Sequence, residues 1–171
     1  MIETKDLYQA ILARQSTRRF AREALDGATL SRVRQIAAQV RPLVPENRFE
    51  VQFPDVTEGQ ALVEALGGYG RIVSPPHYLL PYLTGGTHLL TDIGYRVEQI
   101  AVRLTAMGIG SCYIGALGRE DAVRAEFDLP AEARIGAFLV YGYPTERLGG
   151  RALNALLRRA VGAATKKAAD Q

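Results

Sequence analysis

Arg14, Ser16 and Arg18 alternate within the segment Ala13-Arg14-Gln15-Ser16-Thr17-Arg18-Arg19-Phe20. In an extended chain all three point to one side and offer guanidinium donors and a hydroxyl to an anion such as a phosphate monoester. Spacing alone is equally met by a solvated basic loop, the commoner fate of a charge run. A second segment, Met107-Gly108-Ile109-Gly110-Ser111-Cys112-Tyr113-Ile114-Gly115-Ala116, pairs two glycines for a tight turn with a third that lets a ligand approach the backbone. Planar cofactors benefit from such places, because N–H groups reach the ring edge with no side chain between; the plain alternative is a helix cap feeding a strand. A third segment, Tyr141-Gly142-Tyr143-Pro144, is followed by Arg147 and Arg151, and its simplest reading is a turn.

Other chemistries find less support. The single cysteine, Cys112, excludes an intrachain disulfide and leaves too few thiolates for a zinc or iron–sulfur site. Lone and flanked by apolar residues, it reads as packing rather than as a catalytic thiol. With only His77 and His88 as imidazoles and no clustered carboxylates, no metal site is expected. The net charge of +3 is mild and suits an anionic ligand as readily as nucleic acid. Much of the excess lies in Arg151, Arg158, Arg159, Lys166 and Lys167, opposed there by Asp170 alone, a pattern that reads as a solvated basic helix. The basic residues are not interleaved with exposed aromatics and no nucleic-acid motif is evident, so nucleic acid is not an expected partner. No apolar run is long enough to span a bilayer and the first residues carry no signal-peptide pattern, so a cytoplasmic protein without membrane attachment is expected.

The elements that would position these residues follow from periodicity. At 171 residues one domain is expected, residues 1–171, with 151–171 as its basic carboxy-terminal helix or tail. Leu7, Tyr8, Ile11 and Leu12 recur at helical spacing behind Thr4 as N-cap, and this helix ends near Arg14. A second helix begins at Asp26-Gly27 and carries the stripe Leu30, Val33, Ile36, Ala37 and Val40 up to Arg41-Pro42. Phe49, Val51 and Phe53 alternate with polar residues as a half-buried strand closed by Pro54. A short helix over 57–66 precedes the flexible Gly67-Gly68-Tyr69-Gly70. His77 to Leu83 reads as a buried strand despite Pro81. The longest helix runs from Leu89 to Met107 and stops at Gly108. A strand or extended turn over Ser111–Ile114, a helix over Glu120–Phe127 and a strand over Ile135–Tyr143 complete the pattern. Strands interleaved with helices without regular βαβ alternation predict an α+β sandwich, a small mixed or antiparallel sheet covered by helices. Neither a dinucleotide-binding glycine fingerprint after a strand nor a Walker phosphate loop occurs.

In this order the three segments resemble the FMN-dependent nitroreductase family. That family opens with a helix and an Arg-x-Ser-x-Arg-like stretch ending in an aromatic, as in Arg14 to Phe20. It places a long helix before a Gly-Leu-Gly-like turn and an Ile-Gly, as in Gly108-Ile109-Gly110 and Ile114-Gly115, and closes its core on Gly142-Tyr143-Pro144. The resemblance spans roughly residues 5–151 and is nearest to a nitroreductase subgroup first described from a thermophile, through Tyr69-Gly70-Arg71-Ile72, Pro76-His77-Tyr78-Leu79 and Gly94-Tyr95-Arg96-Val97-Glu98. Members of that subgroup can carry a second, similar half that mimics a dimer partner, so the first half alone is expected to form a homodimer.

The resemblance implies FMN at the interface of two subunits. Carried onto this sequence, Arg14 and Ser16, with Gln15 between them, would bind the phosphate, and Arg18 would face the pyrimidine edge and stabilise charge near N1. Tyr113, Ile114 and Gly115 would line the ring, with backbone donors toward N5. Arg151, ahead of Arg147, is the candidate for a second phosphate contact. The implied reaction passes hydride from NAD(P)H to FMN and on, in ping-pong order, to a nitroaromatic, quinone or similar acceptor, with no protein nucleophile. One departure is plain. Where the family has a Pro-Ser-x-x-Asn-x-Gln-Pro-Trp-like stretch contacting the partner's flavin, this chain has Arg41-Pro42-Leu43-Val44-Pro45-Glu46-Asn47-Arg48-Phe49, which shares only Asn47, and it has no tryptophan at all. An alternative therefore stands beside the enzyme: a nitroreductase-fold protein that has lost catalysis and acts as a flavin-binding or partner module.

Overall fold

Side chains alternate across the two central strands, β2 (His77–Thr84) and β4 (Ala137–Gly142), and so divide the interior into two halves. Tyr78, Leu80, Phe138 and Val140 face one half; Leu79, Leu83, Leu139 and Tyr141 face the other. The computed structural model describes residues 4–65, 73 and 75–145. The remaining described elements are α1 (Thr4–Ala13), α2 (Gly27–Ala38), β1 (Arg48–Gln52), α3 (Val56–Ala65), α4 (Leu89–Ala106), β3 (Gly110–Gly115) and α5 (Glu120–Glu126). The strands form a sheet in the order β1-β2-β4-β3, antiparallel at each pairing. The fold is α+β, and the sheet expected as mixed or antiparallel is antiparallel throughout its ladders.

Burial on both faces explains why β2 reads as a near-continuous apolar run. Its proline is tolerated for a local reason. Pro81 faces Val51 of β1, whereas on the β4 side Leu79 pairs with Leu139 and Leu83 next pairs with Arg134, with no pairing between. Leu83 donates its N–H toward Arg134, and residue 81 would donate to that same side, where no strand faces it. The chain opposite carries an extra residue there, a bulge that starts β4 at Ala137 rather than at Ile135. Glu120 of α5 fastens the bulge: Oε1 accepts from the N–H groups of Ile135 at 2.7 Å and Gly136 at 2.9 Å, and Oε2 meets Arg134 Nε at 3.0 Å. Burial raises the Glu120 carboxyl, yet the bonds from Gly136, Ile135 and Arg134 hold it below its ordinary value.

Helices α2 and α4 cover one face through Val33, Ile36, Ala37, Ile93, Val97, Ile100 and Leu104, with α1 laid against α4. Val123 of α5 packs on the other face, where α3 also lies. Asp26 caps α2, accepting from the Thr29 N–H at 2.8 Å and hydroxyl at 2.7 Å. That helix stops at Ala38, short of Arg41-Pro42, because Gln99 takes both backbone groups of Arg41 and Asp92 takes the Leu43 N–H. Thr4 lies within α1. No helix among the described residues is long and apolar enough to cross a membrane. The glycine-rich break at 67–70 and the basic helix expected over 151–171 fall outside the described residues.

Candidate functional site

The core helix delivers the chain to the site through its C-terminus. Gly108, at φ +74°, donates to Thr105 O at 3.0 Å, and Ile109 donates to Leu104 O at 2.9 Å, a Schellman cap that turns α4 directly into β3. The first segment is laid against that strand. As α1 ends at Ala13, Ser16 bridges Ser111 in parallel and the Thr17 N–H donates to Ser111 O at 2.8 Å. A Cβ at Gly110 would fall 2.5 Å from Thr17 Oγ1, so the approach requires glycine. Further on, Phe20 bridges Pro144 and Ala21 donates to Tyr143 O at 2.8 Å. The three segments singled out in the sequence therefore meet where β3 begins and β4 ends.

Arg14 leaves α1 to sit against β3 and α4. Its Nε lies 2.6 Å from Glu98 Oε1, its guanidinium is 6.0 Å from the Tyr113 ring centre, and the Tyr113 hydroxyl donates to Glu98 Oε2 at 2.9 Å. Burial, then the charge and hydrogen bond of Glu98, push the Tyr113 phenol far above its ordinary range. Arg18 is buried, and its charge reaches Cys112, whose thiol burial raises while Arg18, the Ser16 hydroxyl and Arg14 partly offset the rise. Gln15 opens the other way, into a pocket of about 190 Å³ shared with Thr17, Thr105, Gly110 and Pro144. Ile114 is buried in the core beneath the sheet, and its backbone faces Phe138 in the β3–β4 ladder. Gly115 ends β3 with nothing within 4 Å of where a Cβ would stand. Arg151 and Arg147 fall outside the described residues.

Two residues carry more than the sequence disclosed. Glu98 binds Arg14 and Tyr113 together, and the Ser111 hydroxyl is buried with no hydrogen-bond partner among the described residues. Glu98 stood in the Gly94-Tyr95-x-x-Glu98 run, but nothing local marks its contact with residues so far away in the chain. Asn47, which the resemblance would set toward a partner's flavin, turns inward. It is buried, and its amide donates to Thr87 O at 2.9 Å and to Asp92 Oδ2 at 3.2 Å. Arg96 completes this network, donating to both Asp92 oxygens at 3.0 Å and to the carbonyls of Val44 and Asn47, with its guanidinium 5.3 Å from the Phe49 ring centre. Burial raises the Asp92 carboxyl, but Arg96, Leu43 and Asn47 hold it below its ordinary value.

A groove of about 400 Å³, mostly apolar, adjoins Glu98 and is lined by Leu7, Ile11, Tyr95, Gln99, Val102 and Arg103. Tyr8, Ile11 and Leu12 of α1 are all more than half exposed, at 59%, 51% and 55%, and of these Ile11 lines the groove.

Comparison with known proteins agrees with this fold. Residues 6–171 match a family described as "Putative TM nitroreductase". Among solved structures, the chain is similar to a "Putative NADH dehydrogenase/NAD(P)H nitroreductase" from Bacteroides thetaiotaomicron, at 16% identity and TM-score 0.70 over 82% of this chain and 88% of that one. It is similar to an FMN-dependent nitroreductase from Clostridium difficile, at 17% identity and TM-score 0.69 over 81% and 87% of the two chains. A nitroreductase with bound FMN from Bacteroides fragilis matches at 18% identity and TM-score 0.67 over 82% and 89%. At these identities the structural likeness is one of fold.

Proposed function

The chain belongs to the TM nitroreductase family, and from that premise we propose that it is an FMN-dependent NAD(P)H oxidoreductase acting on small acceptors such as nitroaromatics or quinones. The observation that carries this reading is the bridge between Ser16 and Ser111, which sets the cation-rich segment beside the strand that ends in Gly115. The residues suit a flavin monophosphate. Arg14 and Arg18 flank Ser16, the Ser111 hydroxyl is buried and lacks a partner among the described residues, and the open backbone at Gly115 admits a flat ring.

In this reading Arg14 and Ser16 bind the phosphate, with Arg151, outside the described residues, as a second contact, while Gln15 lines the neighbouring pocket. Arg18 is the fixed cation at the pyrimidine edge, where burial strengthens its field. Tyr113 and Gly115, on either side of Ile114, present backbone to the ring. When bound, FMN supplies the two-electron chemistry, taking hydride from NAD(P)H and passing it on in ping-pong order. No protein nucleophile is needed, in keeping with a Cys112 thiol that burial keeps protonated. We assign the chain to the cytoplasm as one domain that works as a homodimer. The exposed Tyr8, Ile11 and Leu12 next to Arg14 support a second copy as the partner of that face.

The test is purification of the full chain with FMN. A yellow protein, bleached anaerobically by NADPH and recoloured by a nitroaromatic or a quinone, is expected; a colourless protein that ignores added FMN defeats the proposal. That second outcome would fit the reading of a flavin-fold module without turnover. Two observations favour that alternative: Asn47 is engaged by Thr87 and Asp92, and Arg14 is engaged by Glu98.

A further inference from the structure

Glu98 is gripped at both oxygens by residues of the proposed cofactor site: Arg14 Nε at 2.6 Å from one, the Tyr113 hydroxyl at 2.9 Å from the other. It projects from α4, on the face that packs against β3, and the ion pair is open to solvent, with 22% of the Arg14 side chain and 44% of the Glu98 side chain exposed. A guanidinium carries one unit of charge. With a carboxylate at ion-pair distance, the local field that a phosphate would experience is largely cancelled, and a dianion brought to Arg14 also meets a like charge. A flavin whose side chain ends in an alcohol meets no such opposition. Tyr113 matters here because its hydrogen bond fixes the second oxygen of Glu98, so the carboxylate is oriented from β3 as well as drawn by charge.

We propose that Glu98 is a specificity-determining residue, a built-in carboxylate rival for Arg14 that lowers affinity for flavins ending in phosphate relative to flavins ending in an alcohol. The inference rests on the assignment of Arg14 to the cofactor phosphate. It leaves Glu98 out of the chemistry and gives it control over which flavin the site retains. Because the rival is part of the chain, its effect is the same at every protein concentration. Because the pair is partly solvated, its strength declines as salt rises.

The experiment measures dissociation constants of FMN and riboflavin, by quenching of flavin fluorescence at low salt, for the full chain and for its Glu98→Gln, Glu98→Ala and Arg14→Ala variants. Both Glu98 variants are expected to bind FMN roughly fivefold more tightly, with riboflavin unchanged, the gain shrinking at high salt and vanishing when combined with Arg14→Ala. If both leave FMN affinity unchanged or weaken it while Arg14→Ala still costs affinity, Glu98 is not a rival and the phosphate site stands. If riboflavin tightens as much as FMN, the effect is not directed at phosphate and the proposal fails. If Arg14→Ala leaves FMN affinity as it was, the site assignment and this inference fall together.

Discussion

The backbone N–H of Leu25 donates to Nε2 of His77 at 2.8 Å, tying the loop before α2 to the start of β2. An imidazole that accepts at Nε2 is neutral and carries its proton on Nδ1. It also stacks on Tyr141, with ring centres 5.3 Å apart. Burial lowers the His77 pKa below the ordinary 6.5. The folded protein therefore binds this proton less readily than the unfolded chain, so the stability it confers is fully present above pH 6.5 and is lost as pH falls through the folded value. Melting temperature followed downward from neutral pH should decline, and His77→Gln, which cannot titrate, should flatten that decline. An equal slope in both proteins would contradict this account.

Gly110 is where the first segment meets β3. Gly110→Ala places a methyl carbon 2.5 Å from Thr17 Oγ1 and 2.8 Å from its Cβ, so the segment carrying Ser16 and Arg18 has to move off the strand. A destabilisation of about 1–3 kcal/mol is expected in urea unfolding, together with weaker FMN binding. Thr17→Gly in the same chain should restore much of both by removing the atoms in the way.

Asp92 and Arg96 form a buried ion pair whose side chains are 0% and 8% exposed. Asp92→Asn leaves Arg96 without its counter-charge and should cost about 3–5 kcal/mol, whereas replacing both residues by apolar side chains of similar volume should cost much less. Unfolding of the single and double variants, compared as a cycle, measures the difference.

Glu120→Ala removes the acceptor shared by Ile135 and Gly136 and the partner of Arg134. Two partly buried N–H groups then lose their bonds, so a loss of about 2–3 kcal/mol is expected. Faster amide hydrogen exchange confined to residues 134–137 would identify the bulge as the place that loosens.

Much of the fold was legible because period and punctuation agreed. Phe49 and Val51 alternated as a strand does, Ile93 to Leu104 recurred as a helix does, and Gly108 marked the stop that its left-handed φ provides. The limits of α2 and β4 were not legible, since they depend on distant side chains: Gln99 and Asp92 draw Arg41 and Leu43 out of the helix, and Glu120 holds the bulge ahead of Ala137. In the site, the meeting of the Arg14 segment with the glycine turn followed from the family resemblance, whereas spacing alone favoured a solvated loop. Glu98 and the inward turn of Asn47 were hidden because both are defined by contacts across the fold, not by neighbours in sequence.

Asp92 and Glu98 stand on the same rod, about 9 Å apart along its axis. The first is clamped to the loop of residues 43–47, and the second reaches the exit of α1. A helix pinned so firmly at one point cannot slide along its own length without tearing a buried charge from its partner. Any accommodation made at Arg14 therefore falls to the side chains of Arg14 and Glu98 while the helix itself stays in register.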